Sequence, residues 1–571
     1  MKYFIPEWDD RVDPKYNFVM DAHSLEHEED PVANDAYIWN IFGLDGVPID
    51  GVLVSRMTIM QNKTKYKRIL EEGIHNVLRL PHSFEIMGDC GAWGYIEEEI
   101  PPFKTTEVLD YYIKCGFNYG VSVDHLIVPE FKQQNEKRWL TTLENAREMF
   151  DLWQSKDKYM HSARLVGAAQ GWDVESYVRS TKELLKIGYD YIGLGGLARS
   201  PTGTNQEFSQ SKTVHNIVYC VSSEIRKWMK QNEKRIDLHL FGVARPELMP
   251  ELAKCGVSSF DSASFLRKAW LSARENYYSL NGEFYGAIRI PQTERSHVVK
   301  ELSEIKKLPI LESRALEKVR SYDLGNATLD DTLEAIVDYD KAIGEKRDFE
   351  RHYQRTLLEM PWKKCPCPIC KSVGVEVIIF RGNNRNRRRG FHNTFSFYNR
   401  LRKSVPRILV CTNCAHEKDQ SSGLVPAFQR YLPSPVFKTF WNSVHDLPVE
   451  IGILSAKFGL IDWSKRIPYY DYKMQESDVP KFVEELQEKL VRYDKIFFIG
   501  LGLCRDVVSR VKGEIGLNIE LFPKPESTER EKLDILEYTK QMKDFREAII
   551  KAIPEKCRPV RDEAMSERPG S

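Results

Sequence analysis

Between residues 51 and 261 the chain alternates short apolar runs with longer stretches whose apolar residues recur at helical spacing. The runs are Gly51-Val-Leu-Val-Ser-Arg56, His75-Asn-Val-Leu-Arg-Leu80, Phe84-Glu-Ile-Met-Gly88, Tyr119-Gly-Val-Ser-Val123, Ala163-Arg-Leu-Val-Gly167, Tyr191-Ile-Gly-Leu194, Leu238-His-Leu-Phe241 and Val257-Ser-Ser-Phe260. Clear helical patterns cover Thr106 to Cys115, Leu143 to Gln154, Val174 to Ile187 and Val214 to Gln231. Continuous apolar runs are typical of parallel strands buried on both faces, and their alternation with helices implies βαβ units. Eight of them predict an α/β fold, a decorated (β/α)8 TIM barrel over 51–360. The second and third runs lie too close for a helix between them, so either the barrel is decorated or one run is misassigned. Residues 1–50 are polar and irregular, which predicts a cap segment. From Arg407 strands and helices resume over 406–525, predicting a second, small α/β domain, and 526–571 reads as a charged helix and tail.

Each barrel run ends in polar or flexible residues: Asp89-Cys-Gly-Ala-Trp93, Asp124-His125, Gln170-Gly-Trp, Gly195-Gly196-Leu197-Ala198 and Asp261. The carboxyl ends of the strands in such a barrel build the active site. Taken singly, each has a bland reading as a helix cap or a turn. Five on one rim make a site. Asp124 and Gln170 can hold the amide and amino edges of a base, and the glycines allow a flat ligand to approach the backbone.

Composition narrows the picture. Of 571 residues, 83 are Lys or Arg and 83 are Asp or Glu, so no global charge draws the chain to nucleic acid or membrane. The start shows no signal peptide and no window reaches a membrane span, which predicts a cytoplasmic protein. Cys365, Cys367 and Cys370 with His392 supply four ligands suited to a closed, structural zinc site over 361–405. Cys411, Cys414 and His416 form a second possible ligand group. Between and beyond the zinc ligands lie Arg381, Arg385, Arg387, Arg388, Arg389, Arg400 and Arg402, with no Asp or Glu from Val377 to His416. That asymmetry predicts a flexible basic loop that neutralises nucleic-acid phosphates.

The strings Asp89-Cys-Gly-Ala-Trp, Val166-Gly-Ala-Ala-Gln170-Gly, Gly195-Gly-Leu-Ala and His239-Leu-Phe-Gly-Val…Phe260-Asp261…Arg267, followed by Cys365-x-Cys-x-x-Cys370…His392, resemble the tRNA-guanine transglycosylase superfamily in the same order. The opening Tyr3-Phe-Ile-Pro-Glu-Trp and the added C-terminal domain resemble its DNA-acting, 7-deazaguanine-inserting branch. The resemblance implies a pentosyltransferase with Asp261 as nucleophile and Asp89 as general acid/base. It further implies base recognition by Asp124, Gln170, Gly195, Gly196, Leu197 and Arg267, with Trp93 and Phe265 as candidate stacking surfaces. It implies 7-cyano-7-deazaguanine (preQ0) as co-substrate, no organic cofactor, DNA as polymer, and a separate ATPase partner within a restriction-modification type of DNA-modification system. Transfer to tRNA is the nearest alternative, and a non-catalytic nucleic-acid-binding subunit the next. Ala92 stands where the family has Gly, and Ala244-Arg-Pro where it has Gly-Thr-Pro. Leu454-Ser-Ala-Lys457 followed by Ile467-Pro-Tyr-Tyr-Asp471 resembles a domain related to the YaaA proteins, with Lys457 and Asp471 as candidate phosphate contacts.

Overall fold

A computed structural model describes residues 1–571 except 45, 156–162, 198–203, 294–301, 524–534 and 559–571, with backbone alone for 204–212, 302–306 and 535. Eight parallel strands close a TIM barrel in chain order. They are β1 (Lys2–Pro6), β2 (Gly51–Ser55), β3 (Glu85–Asp89), β4 (Tyr119–Val121), β5 (Arg164–Ala169), β6 (Tyr191–Leu194), β7 (Asp237–Leu240) and β8 (Ser259–Asp261).

Two expectations need correcting. His75–Leu80 is not a strand: Ile74–Leu78 is a one-turn helix stopped by Arg79 in the left-handed region at φ 54°. Ile74, His75, Val77 and Leu78 are all buried and only Asn76 within the turn is exposed, too little polar surface to betray its period. The missing strand is β1, inside the segment read as a cap. Phe4 pairs in register with Gly51 on β2 and with Asp261 on β8, which closes the barrel. Gly51 leaves space for the Phe4 ring, since a Cβ there would lie 2.3 Å from Phe4 Cε1. Phe4, Leu53, Met87, Val121, Val166, Ala168 and Tyr191 pack the barrel interior.

The chain divides into two compact units, one of Met1–Pro6, Asp50–Ser262 and Leu401–Ser571, the other of Glu7–Ile49 and Ala263–Arg400. This departs from the expected boundaries at 50, 360 and 405. Residues from Ala263 onward group with the zinc-ligand segment, and the C-terminal domain groups with the barrel. That domain is a sheet of β9 (Ile408–Asn413), β10 (Glu450–Ser455), β11 (Gly459–Asp462), β12 (Lys495–Ile499) and β13 (Ile519–Phe522) in the order β11-β10-β9-β12-β13. Only β11 runs antiparallel. Leu409, Phe482, Leu486, Phe498 and Val507 belong to its core. Lys457 and Asp471 are exposed. Charged pairs join the sheet to the barrel: Arg407 beside β9 bonds Asp50 at 3.1 Å, and Lys2 on β1 pairs with Glu450 on β10 at 3.7 Å. No helix among the described residues is long and apolar enough to cross a membrane.

Candidate active site

Asp89 is the last residue of β3, and the chain turns sharply after it. Gly91, at φ 86°, donates its N–H to Asp89 Oδ2 at 3.0 Å. A Cβ on Gly91 would fall 2.3 Å from Ser55 Oγ, so this position needs glycine for space as well as for φ. Ala92 has no positive φ and opens a short 3-10 turn, Ala92–Tyr95, so the departure from the family pattern there costs no backbone strain.

Asp124 lies three residues past β4 and is buried. Gln170 Nε2 donates to its Oδ2 at 2.6 Å, and the Cys90 thiol to its Oδ1 at 3.4 Å. The Tyr95 hydroxyl meets Cys90 Sγ at 2.9 Å and donates to the Asp124 carbonyl at 2.9 Å. Carboxylate oxygens of Asp89 and Asp124 and the Cys90 sulfur lie within 4.8 Å of one another. Two carboxylates that close in a dry site cannot both ionise cheaply. Burial first, then the charges of Asp124 and Asp261, push the Asp89 carboxyl up to about 8. Burial raises Asp124 as well, against the opposing hydrogen bond from Gln170. Asp89 thus holds a proton at neutral pH, the state an acid needs before it can donate.

Gln170, 0% exposed, spends its amide nitrogen on Asp124 and leaves Oε1 without a partner among the described residues. Gly195 and Gly196 wrap that side chain. A Cβ at 195 would lie 2.2 Å from Gln170 Nε2, and one at 196, where φ is 73°, 3.1 Å from Oε1. Tyr177 anchors the turn by donating to the Gly195 carbonyl at 2.6 Å. Leu197 is buried beside it, and Ala198 lies outside the described residues. A buried acceptor flanked by glycines forms a slot for the donor edge of a flat ring.

Asp261 ends β8. Its Oδ1 accepts from Gly242 N–H at 3.0 Å and meets His239 Nε2 at 3.2 Å, while Oδ2 makes no hydrogen bond among the described residues. His239 sits inside one of the family-like strings, where the sequence assigns it no role. Its signal is a polar ring at an alternate position of an otherwise apolar strand, where a barrel interior expects an aliphatic side chain. Cys90 and Tyr95 also escape sequence reasoning, because their part is to hold Asp124 in place and only the fold reveals it.

Several assignments change. Phe265, a candidate stacking surface, is buried with its ring stacked 4.4 Å from Phe397, whereas Trp93 is 48% exposed. In the second unit Arg267 lies 4.2 Å over the Trp8 ring. The expected flexible basic loop is part of the helix Gly382–Ser404, and most of its charge is spent internally. Arg381 pairs with Asp21 and Glu312, Arg385 with Asp21 and Glu376, and Arg387 with Asp10 at 3.6 Å. Arg388 donates to the Asp13 carbonyl at 2.9 Å. Arg389, 0% exposed, donates to the carbonyls of Val377, Ile379 and Ala269. Arg402 pairs with Asp50, and Arg400 lies 5.9 Å from the Tyr278 ring. Arg381, Arg385, Arg388 and Arg389 are therefore buried structural cations and not a phosphate-binding surface.

Cys365, Cys367, Cys370 and His392 do converge. His392 Nδ1 lies 3.4–3.5 Å from all three sulfurs, and all four residues are buried. Those separations are close to the edges of a tetrahedron built with zinc-ligand bond lengths of about 2.0–2.3 Å. The other imidazole nitrogen meets the Tyr278 carbonyl at 3.0 Å, which fixes Nδ1 as the ligand. The donor set fits zinc held by four protein ligands in a structural role. Cys411 lies instead in the core of the C-terminal sheet, and among the described residues it forms no ligand group with Cys414 and His416.

No family model matches the sequence. A DNA-guanine transglycosylase of Salmonella montevideo is 34% identical over 429 residues, 71% of this chain and 97% of that one. A tRNA-guanine(15) transglycosylase of Pyrobaculum aerophilum is 25% identical over 182 residues, 32% of this chain and 34% of the relative. The same enzyme of Saccharolobus solfataricus is 25% identical over 250 residues, 43% and 46% of the two chains.

Proposed function

This chain belongs to the guanine transglycosylase superfamily, in its DNA-acting branch, and is thus a pentosyltransferase; from that premise we propose that it exchanges guanine in DNA for 7-cyano-7-deazaguanine through a covalent Asp261–sugar intermediate. A carboxylate oxygen of Asp261 attacks C1′ and the bond from C1′ to the base breaks. The bonding pair leaves with guanine, which takes the proton from Asp89. The incoming base then gives a proton back to Asp89 and attacks C1′, and Asp261 departs as carboxylate. Two displacements on one carbon retain its configuration, as in retaining glycoside hydrolysis. The observation that carries the reading is the placement of the Asp89 carboxylate within 4.8 Å of Asp124 at the strand ends, where burial and the charges of Asp124 and Asp261 raise its pKa.

Asp124 and Gln170 Oε1 would accept from the N1–H and 2-amino group of the base. Guanine and its 7-deaza analogues share that edge, so one slot serves the leaving and the entering base. The base must leave the stack to reach it, which costs a few kcal/mol. The exchange itself needs no nucleotide hydrolysis, and strand opening would fall to a separate ATPase of a DNA-modification system. Zinc, when bound by the three cysteines and His392, would supply rigidity to its unit and no chemistry.

The test is incubation with labelled 7-cyano-7-deazaguanine and either duplex DNA or tRNA, followed by digestion to nucleosides. Label in deoxyribonucleosides, lost in Asp261→Ala, supports the reading. Label confined to ribonucleosides, or incorporation by Asp261→Ala, overturns it.

A further inference from the structure

Behind Asp261 runs a buried file of polar groups that the exchange reaction, as drawn above, does not use. His239 Nδ1 meets Ser259 Oγ at 2.6 Å, and Ser259 Oγ meets the Tyr191 hydroxyl at 2.6 Å. His239 and Ser259 are 0% exposed and Tyr191 3%. The file follows from strand register, which sets His239 on β7 opposite Ser259 on β8. The imidazole is held on its faces and edges by the rings of Phe241, Phe4 and Tyr191, at 4.5, 6.0 and 6.5 Å.

We propose that His239 is a positioning residue for Asp261, locked by Ser259 and Tyr191 as its neutral Nε2–H tautomer, so that Oδ1 is tied and Oδ2 alone is presented to the sugar. This rests on the reading of Asp261 as nucleophile.

The protons assign themselves. An ionised carboxylate only accepts, so His239 Nε2 must carry the hydrogen that points at Oδ1. In a neutral ring Nδ1 is then an acceptor, and Ser259 is the group placed to donate to it. The serine oxygen keeps a lone pair for the Tyr191 hydroxyl, whose proton is secured because burial raises its pKa. Every hydrogen runs one way, from tyrosine to serine to histidine to carboxylate. Reversing any one leaves two donors or two acceptors facing each other in a dry interior, an arrangement that buried polar groups avoid. With Gly242 N–H on the same Oδ1, the carboxylate is fixed in rotation about its terminal bond. A neutral donor suits both displacements. It orients the attacking carboxylate without the full positive charge that would quench its lone pair, and it receives the carboxylate again when the second base displaces it. Arrangement of this kind acts on the barrier, not on the affinity for DNA.

Four variants test it: Asp261→Ala, His239→Leu, His239→Gln and Ser259→Ala, with the double variant His239→Gln/Ser259→Ala. The readouts are kcat and KM for DNA in guanine exchange, scaled to the concentration of sites able to form the covalent adduct. Loss of one hydrogen bond to a charged group corresponds to about 10- to 100-fold. His239→Leu should lower kcat by about that factor and Ser259→Ala, whose bond is to a neutral ring, by about 2- to 10-fold, both with KM within about twofold. His239→Gln, which can still present an N–H to Oδ1, should recover most of the loss. Adding Ser259→Ala to His239→Gln should then cost nothing further, since an amide has no tautomer to set. A purely structural part would lower the concentration of competent sites and leave kcat per site unchanged. That result, wild-type kcat in His239→Leu, or full additivity in the double variant would each overturn the proposal. Should His239→Leu not fold, Ser259→Ala with and without His239→Gln decides alone. Activity in Asp261→Ala sinks the functional reading itself; a dead Asp261→Ala beside a normal Ser259→Ala sinks only the positioning role.

Discussion

Replacing Asp124 by asparagine should move the basic limb of the exchange reaction to lower pH. In the proposed exchange Asp89 must hold its proton to donate it, so activity should fall as pH rises through the Asp89 pKa, which burial and neighbouring charges push up to about 8. The oxygens of Asp89 and Asp124 lie within 4.8 Å of each other. At an effective dielectric of about 20, two charges at that distance repel by ~3.5 kcal/mol, equivalent to ~2.5 pH units. The asparagine side chain is isosteric with the aspartate it replaces and carries no charge. Asp89 in the Asp124→Asn protein should therefore titrate near ~5.5, and its protonated fraction at neutral pH should fall from about nine-tenths to a few per cent. Displacement of labelled guanine from DNA at saturating substrate, followed across the neutral range and a unit or two to either side, measures the limb directly. Asp124 is also a proposed contact of the base, so the height of the profile should fall in any case. Its position on the pH axis is the diagnostic. A basic limb within about half a unit of the parent enzyme would refute the coupling and, with it, the assignment of Asp89 as the acid.

The same group sets a stability trade-off. Because its folded pKa of about 8 exceeds the ordinary 3.8, the native state binds the extra proton and stability declines as pH rises between those values. Asp89→Asn should therefore unfold at a higher temperature than the parent at and above that folded pKa in calorimetry while losing exchange, and an unchanged or lower Tm there would contradict this. Arg385→Ala takes away the arginine that bridges Asp21 and Glu376 but leaves Arg381 on the first and Arg320 on the second. It should cost about 1.5–3 kcal/mol in denaturant melts and leave the salt dependence of DNA binding unaltered; a shallower salt slope would restore the phosphate-contact reading. Cys370→Ser should reduce bound zinc, counted by elemental analysis, from one per chain to none and lower Tm by several degrees. Retention of the metal would point to other ligands. Gly195→Ala drives a methyl into Gln170 and displaces its amide from Asp124, so KM for the free base should rise about tenfold or more with Tm nearly unchanged.

The sequence announces most of the barrel because buried parallel strands leave an unbroken apolar signature. It fails where that signature is ambiguous. His75–Leu80 and Lys2–Pro6 are both short and mixed, and only the barrel's need for a strand between β2 and β8 tells them apart. The rim residues are readable because each sits at the end of a recognisable strand. The arginines mislead for a different reason. Charge balance is visible only along the chain, yet the acids that neutralise Arg381, Arg385 and Arg387 are Asp10, Asp21, Glu312 and Glu376, mostly far away in sequence. His239 and its serine and tyrosine neighbours converge through strand register, a property no single stretch of sequence displays.

The position of β1 also sets the order in which the molecule can be made. Lys2–Pro6 leaves the ribosome ahead of the strand that must seal its far side, Ser259–Asp261, which emerges about 250 residues later. At elongation rates of roughly 5–20 residues per second, that interval is about 13–50 s. Throughout it a strand edge of Tyr3, Phe4 and Ile5 has only one partner available, and such an edge is an invitation to pair with a stranger. Yield at high expression should therefore depend on how slowly the protein is made and on what shields that edge meanwhile, more than on how stable the finished barrel is.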